Sequence, residues 1–145
     1  PRQSARAFIP TIISQALAGG PIRLGALTPQ RDMTFVADTV AGFLAAADTP
    51  GIEGETINLG TGETHTIGWF AERLLALIGA DMPIVQEAQR MRPEGSEVLR
   101  LVSDNGLARL RLGWAPRVSL DDGLRRSIAF FRAHRLAHAD ADYVR

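Results

Sequence analysis

The chain of 145 residues contains no cysteine, which excludes disulfides, thiolate catalysis and metal sites built from cysteine. It also contains no lysine, because all 16 basic residues are arginine. A P-loop lysine, a Schiff-base lysine and a lysine in a proton relay are therefore excluded too. The only tyrosine is Tyr143, close to the end of the chain. None of the three histidines has the spacing of a metal-ligand pair, so no metal site is predicted.

The charge is balanced, and no long apolar run is present. Sixteen basic and 16 acidic residues give a formal net charge of zero, which argues against a general nucleic-acid or anionic-membrane binder. No apolar run approaches the roughly 18 residues of a membrane span, and there is no signal peptide, so a cytoplasmic protein is expected. Apolar residues make up 46%, enough for a buried core. The chain starts at Pro1 rather than methionine, and a fragment or processed piece is therefore expected.

Short strand patterns alternate with helical patterns, which predicts the α/β class. Apolar residues at helical spacing predict helices over 4–18, from Asp38, over 67–79, from Ser103 or Asp104 and after 119–122. Asp38 is predicted to cap the second of these helices, whose core face is predicted to be Val40, Phe43, Leu44 and Ala47. Strands are predicted at 21–25, 33–36, 56–60 and 82–86. We expect one portion over residues 1–133 and a polar, disordered tail over 134–145.

The stretch "NLGTGETHT" resembles a glycine-rich phosphate loop that follows a strand. Gly60 and Gly62 allow a tight turn, and Thr64 or Thr66 begins a helix whose N-terminus favours an anion. The third glycine of G-x-G-x-x-G is absent. A plain connection from strand to helix is therefore the favoured interpretation.

Two arginines each stand at the start of a segment whose backbone is restricted, and both are candidate phosphate ligands. Arg92 precedes a proline in "RMRPEGSEV", with Glu94 and Glu97 close behind, and this combination suits a nucleotide. Taken alone, the segment is more simply interpreted as a surface ion cluster. Arg31 has the same ambiguity, because Asp32 could pair with it at a strand edge. Alternatively, the two arginines could bind one diphosphate from two sides.

Read together, four stretches resemble the C-terminal half of an extended short-chain dehydrogenase/reductase. They are "PRQSARAFIP", "GGPIRLGALTPQRDMTFVADTVAGFLAA", "GETINLGTGETHTIGWFAERL" and "RPEGSEVLRLVSDNGLARLRLGWAPRVSLDDGLRRSIAFF". The resemblance covers about residues 1–133 and is to the NAD-dependent epimerase/dehydratase family, which acts on nucleotide sugars. It implies a Rossmann-like α/β fold. The first stretch and "RPEGSEV" look most like the 4,6-dehydratases of GDP- or UDP-N-acetylglucosamine type.

The resemblance also implies roles for individual residues. Arg31 and Arg92 would bind the substrate diphosphate, and Glu97, rather than Glu94, would bind the nucleotide ribose. A short strand would lie against the base, and the segment before the first proline would contact the sugar nucleotide through its backbone. These last candidates are Ile22, Arg23 and Leu24 on the strand, and Ala7 and Phe8 before the proline.

The sequence departs from the family in lacking its cofactor fingerprint and its Tyr-x-x-x-Lys pair. NAD would therefore be bound mainly by an N-terminal Rossmann half, through which the family usually dimerises, and no catalytic residue is predicted here. The implied function is the substrate-binding portion of a nucleotide-sugar 4,6-dehydratase. A 4-epimerase and a non-catalytic α/β interaction module are the alternatives. Alone, the chain is expected to expose apolar surface.

Overall fold

The computed structural model describes residue 3 and residues 7–91 and 97–134. In chain order the elements are α1 (Phe8–Ala18), β1 (Ile22–Leu24), β2 (Gln30–Arg31), α2 (Val36–Asp48), β3 (His65–Thr66), α3 (Ile67–Ile78), β4 (Ile84–Gln86), a 3₁₀ turn (Ala88–Arg90), β5 (Arg100–Leu101), α4 (Gly106–Leu112) and α5 (Leu120–Ala133). The mixed α/β class is confirmed. The described residues group into two compact units, with unit 1 drawn from 1–29, 66–99 and 124–145, and unit 2 from 30–65 and 100–123.

Unit 1 has a helical core beside a short parallel sheet. Strand β1 pairs in parallel with β4, with Ile22 opposite Ile84 and Leu24 opposite Gln86. The side chains at 0% exposure include Ile12, Ile13, Ile22, Phe70 and Leu74. The apolar spacing predicts an inward face of α5 made of Leu120, Leu124, Ile128 and Phe131. The last three are each only 3% exposed, whereas Leu120 is only partly buried.

The ends of the unit 1 helices follow from local chemistry. Gly19 and Gly79 end α1 and α3 with φ of 85° and 77°, a backbone region that favours glycine. The Thr66 hydroxyl caps α3 by accepting from the Trp69 amide, so Thr66 rather than Thr64 begins the helix. Helix α1 starts at Phe8, which places Pro10 in the first turn, where a proline costs no intrahelical hydrogen bond. Ser4, with which the predicted helix over 4–18 begins, lies outside the described residues.

Unit 2 contains a three-stranded sheet in the order β3-β2-β5, together with α2 and α4. Strands β2 and β5 are parallel, with Arg31 opposite Leu101. Asp38 does not cap α2, since Phe35 is the N-cap residue and Asp38 lies in the first turn. Its buried carboxylate accepts from the Val118 amide at 3.0 Å, while its carbonyl oxygen accepts from Trp114 Nε1 at 2.9 Å.

Two strand predictions in unit 2 are wrong. Residues 33–35 have no regular structure, and Val36 is already helical. The strand lies earlier, at Gln30–Arg31. Residues 56–60 are not part of a ladder either, because a β-rich segment forms a strand only beside a partner strand.

The prediction that α2 buries its apolar stripe is also wrong. Val40, Phe43 and Leu44 are 50%, 68% and 61% exposed. The side of α2 that packs within unit 2 carries Asp38 and Gly42, and a Cβ at residue 42 would come within 2.5 Å of Leu59. The periodicity of the stripe is correct, but no described element of unit 2 covers it.

Two further properties concern the described residues alone. Across 7–91 and 97–134, the helices are too short or too polar to cross a membrane. In the same ranges, His, Asp and Glu side chains form no cluster of three or more that could hold a metal ion.

Candidate functional site

The carboxylate of Asp32 accepts four hydrogen bonds within unit 2. Its Oδ1 accepts from the Thr61 amide at 3.0 Å and from Thr61 Oγ1 at 2.6 Å. Its Oδ2 accepts from the Gly62 amide at 2.8 Å and from the Ser103 amide at 3.2 Å. The backbone amide of Asp32 donates to the Leu101 carbonyl oxygen at 3.0 Å. Asp32 therefore joins β2 to the turn at 60–62 and to the segment that follows β5.

The two glycines of this turn meet different requirements: one allows a close approach of two segments, and the other has a positive φ. A Cβ at Gly60 would lie 2.2 Å from the Ser103 Cβ, so only glycine allows the two segments to approach so closely. Gly62 has φ of 81°. The buried Asn105 side chain completes the arrangement, since its Nδ2 donates to the Gly60 carbonyl oxygen at 2.7 Å.

The turn at 60–62 does not fit a phosphate or the pyrophosphate of NAD. The amides of Thr61 and Gly62, which a phosphate loop would aim at its ligand, donate to the Asp32 carboxylate. A second anion there would also meet like charge. The favoured interpretation of a plain connection is supported, and the residues around this turn cannot be assigned to a cofactor.

Arg31 is the last residue of β2 and lies directly before this carboxylate. Its side chain is partly buried, and Nη1 donates to the Gln30 carbonyl oxygen at 2.8 Å. The ladder with β5 and the hydrogen bonds of Asp32 fix the backbone at residue 31 from both sides. The suggested pairing of Asp32 with Arg31 is not what holds Asp32, since its carboxylate is occupied by Thr61, Gly62 and Ser103.

Unit 1 carries a second charged group, centred on Glu87. Its Oε1 accepts from Arg23 Nη1 at 2.7 Å, and its Oε2 accepts from Arg90 Nε at 2.6 Å. The hydrogen bond from Arg23, followed by that from Arg90, holds the pKa of the Glu87 carboxyl below its usual value. Next to this group, a Cβ at Gly25 would lie 2.3 Å from the Arg90 carbonyl oxygen. The end of β1 is thus held tightly against the 3₁₀ turn.

The candidates on β1 and at the start of α1 are placed in unit 1. Ile22 and Leu24 are 0% and 5% exposed, so their side chains belong to the core and only their backbone is available to a ligand. Arg23 is exposed and points away from that core. Ala7 is the N-cap residue of α1 and provides no side-chain cap, while Phe8 packs on Phe70 with ring centroids 5.3 Å apart.

Of the two candidates in the segment after the 3₁₀ turn, only one is among the described residues. Arg92 lies outside the described residues, as does Glu94. Glu97 is described, belongs to unit 1 and is partly buried. The roles predicted for these residues remain predictions.

Sequence reasoning missed the structural roles of Asp32 and Glu87. A signal for Glu87 was present, because Glu87 and Arg90 are three residues apart, a spacing that favours an ion pair on one helical face. No comparable local signal existed for Asp32, whose partners lie 29 to 71 residues further along the chain.

Comparison with known proteins places the chain in a family. A family model described as GDP-mannose 4,6 dehydratase matches residues 1–127. UDP-glucose 4-epimerase of Mycolicibacterium smegmatis is 35% identical over 91% of this chain and 42% of its own length. dTDP-glucose 4,6-dehydratase of Streptomyces griseus is 31% identical over 93% of this chain and 40% of its own. The chain thus spans well under half the length of these curated relatives.

Solved structures agree with this assignment. The epimerase Mth375 of Methanothermobacter thermautotrophicus superposes with a TM-score of 0.85 at 28% identity, over 95% of this chain and 40% of that one. UDP-glucuronic acid 4-epimerase of Bacillus cereus, in complex with UDP-glucuronic acid and NAD, gives 0.83 at 28% identity, over 92% and 42%. The Rossmann-like fold class and NAD as the family's cofactor are therefore confirmed. On the match over residues 1–127 and these likenesses, the chain belongs to the NAD-dependent epimerase/dehydratase family.

Proposed function

We propose that this chain is the substrate-binding portion of an NAD-dependent nucleotide-sugar 4,6-dehydratase of GDP- or UDP-N-acetylglucosamine type. The observation that carries the proposal is the family match over residues 1–127, a range that contains every candidate residue. In this proposal Arg31 and Arg92 bind the diphosphate and Glu97 binds the ribose. The backbone of β1 lies along the base, and the start of α1 borders the sugar.

A second portion would supply the cofactor site. The sequence has no lysine and no glycine-rich fingerprint, and the turn at 60–62 is occupied by Asp32. NAD and the acid–base residues would therefore lie in an N-terminal Rossmann half. The apolar stripe of α2 is a suitable docking surface for that half, because Val36, Val40, Phe43 and Leu44 are each at least 50% exposed. A cytoplasmic homodimer completes the proposal.

A 4-epimerase is the second candidate. The relative at 35% identity is a UDP-glucose 4-epimerase, and the Bacillus cereus structure is a 4-epimerase as well. The two reactions are distinguished by their products, since a dehydratase releases water from the sugar and an epimerase does not. Mass spectrometry of the nucleotide sugar after incubation separates them.

The binding proposal is tested by thermal unfolding of the full-length protein encoded by the reading frame that contains this chain. UDP-N-acetylglucosamine, UDP-glucose, GDP-mannose and dTDP-glucose are compared, with NAD present. A ligand at about 100 times its Kd stabilises the folded protein by about 2.7 kcal/mol, so Tm should rise by several degrees with at least one of them. No rise with any of the four would favour a non-catalytic interaction module.

A further inference from the structure

The four hydrogen bonds to the Asp32 carboxylate come from two segments that are far from β2 in the sequence. Three of the donors are backbone amides, of Thr61, Gly62 and Ser103, and the fourth is the Thr61 hydroxyl. A carboxylate offers two acceptor oxygens, and each of them receives two of these hydrogen bonds. An asparagine would turn an NH₂ group towards amides that also donate. The four donors around residue 32 are therefore satisfied by a carboxylate and not by an amide side chain.

The strand that carries Arg31 is held by short ladders, since β2 lies between β3 and β5 and each of the three strands has only two residues. Strands β2 and β5 pair over only two residues each, and so short a ladder is marginal by itself. Directly after Arg31, the Asp32 amide bonds to Leu101 and its carboxylate bonds to the other two segments. The position of the Arg31 backbone thus depends on the next residue along the chain.

We propose that Asp32 is a positioning residue for Arg31. Its carboxylate binds both the turn at 60–62 and the Ser103 segment at the end of β2. These contacts hold Arg31 in the position where it binds the substrate diphosphate. This inference rests on the proposed function, because it requires Arg31 to bind the nucleotide sugar. It assigns to Asp32 no contact with the substrate.

A double-mutant cycle on affinity tests the inference. Arg31→Ala, Asp32→Asn and the double variant of the full-length protein are compared by calorimetry, with the nucleotide sugar that gave the largest rise in Tm. Arg31→Ala should weaken binding about tenfold or more, since it removes a charged hydrogen bond. Asp32→Asn should weaken it about threefold or more, and the double variant should bind no worse than Arg31→Ala alone, because Asp32 acts through that side chain. The parent nucleoside, which has no phosphate, should bind all variants equally.

Asp38→Asn is the matched control. Asp38 is a buried aspartate of the same unit that accepts one backbone amide, from Val118. Its substitution should lower Tm without changing affinity. If Asp32→Asn does not fold, Thr61→Val removes one donor to Oδ1 and keeps the backbone amide, and the same cycle is run with it.

The possible failures are distinct. Losses that add in the double variant, or no loss with Asp32→Asn, overturn the positioning role and leave the proposed function intact. Wild-type affinity in Arg31→Ala also overturns it, since Arg31 would then lie outside the site. No binding of any nucleotide sugar by the unaltered protein overturns the proposed function and the inference together.

Discussion

At the scale of single residues, Asp38 shows how a buried charge is accommodated. It is 4% exposed, and its carboxylate and carbonyl oxygen accept from Val118 and Trp114. Asp38→Ala should lower the free energy of unfolding by about 1–3 kcal/mol, because the partly buried Val118 amide would lose its partner. Denaturant unfolding measures the loss. Asp48→Ala, at the exposed end of α2, is the control, and equal stability of the two variants would contradict the prediction.

Arg92 gives a residue-scale prediction about binding. Arg92→Ala in the full-length protein should weaken binding of the nucleotide sugar at least about tenfold, since one or two charged hydrogen bonds of about 1.5–3 kcal/mol each are lost. Calorimetry measures the change. Arg117→Ala, an exposed arginine of unit 2 that is not a candidate, should leave affinity as it is. Unchanged affinity in Arg92→Ala would remove that residue from the site.

At the scale of elements, the N-cap of α3 is a separable contribution to stability. The Thr66 hydroxyl accepts from the Trp69 amide at 3.0 Å. Thr66→Ala should cost about 1 kcal/mol of unfolding free energy, because that amide loses its partner. Thr28→Ala, an exposed threonine outside any helix, is the comparison in thermal unfolding. A cost no larger than that of the comparison variant would mean that the cap contributes nothing.

The stability that Glu87 contributes by joining β1 to the 3₁₀ turn should depend on pH. Because Arg23 and Arg90 lower the pKa of Glu87 below the ordinary value of 4.5, its stabilising contribution is present above that value. The contribution is lost as pH falls through the lower pKa of the folded protein. Tm of Glu87→Gln should therefore lie below that of the wild type at pH 7, with the gap closing as pH falls below 4.5. Glu72→Gln, an exposed change on α3, should show no such closing gap.

The elements also show where prediction from sequence succeeds. Helix α3 was predicted to within one residue, because Thr66 and Gly79 mark its ends by local chemistry. The segment 56–60 has a strand pattern, yet it pairs with nothing described, since pairing depends on a distant partner. The Asp32 hydrogen bonds escaped prediction for the same reason. Arg31 is a candidate from its place in the sequence and from the family resemblance, whereas the hydrogen bonds of the next residue, Asp32, are visible only in three dimensions.

At the scale of the whole molecule, the exposed apolar stripe of α2 should promote self-association of the chain. Phe43 and Leu44 are 68% and 61% exposed, and a purified chain of these 145 residues alone should self-associate with rising concentration. Phe43→Ser combined with Leu44→Ser should reduce that association in light scattering. Met91→Ser, at an exposed apolar residue of unit 1, should have less effect. If the mass measured by light scattering stays that of a monomer for the unaltered chain at all concentrations, the expectation is wrong.

Gly25 has a practical consequence for engineering substrate choice. If β1 lies along the base, as proposed, a library that diversifies β1 to alter nucleotide choice should leave residue 25 unchanged, because even a methyl group there would lie 2.3 Å from the Arg90 carbonyl oxygen. Position 23 is the better place for variation, since its side chain is 51% exposed. Replacing Arg23 would also release one partner of Glu87, so each such library needs a stability screen beside the activity screen.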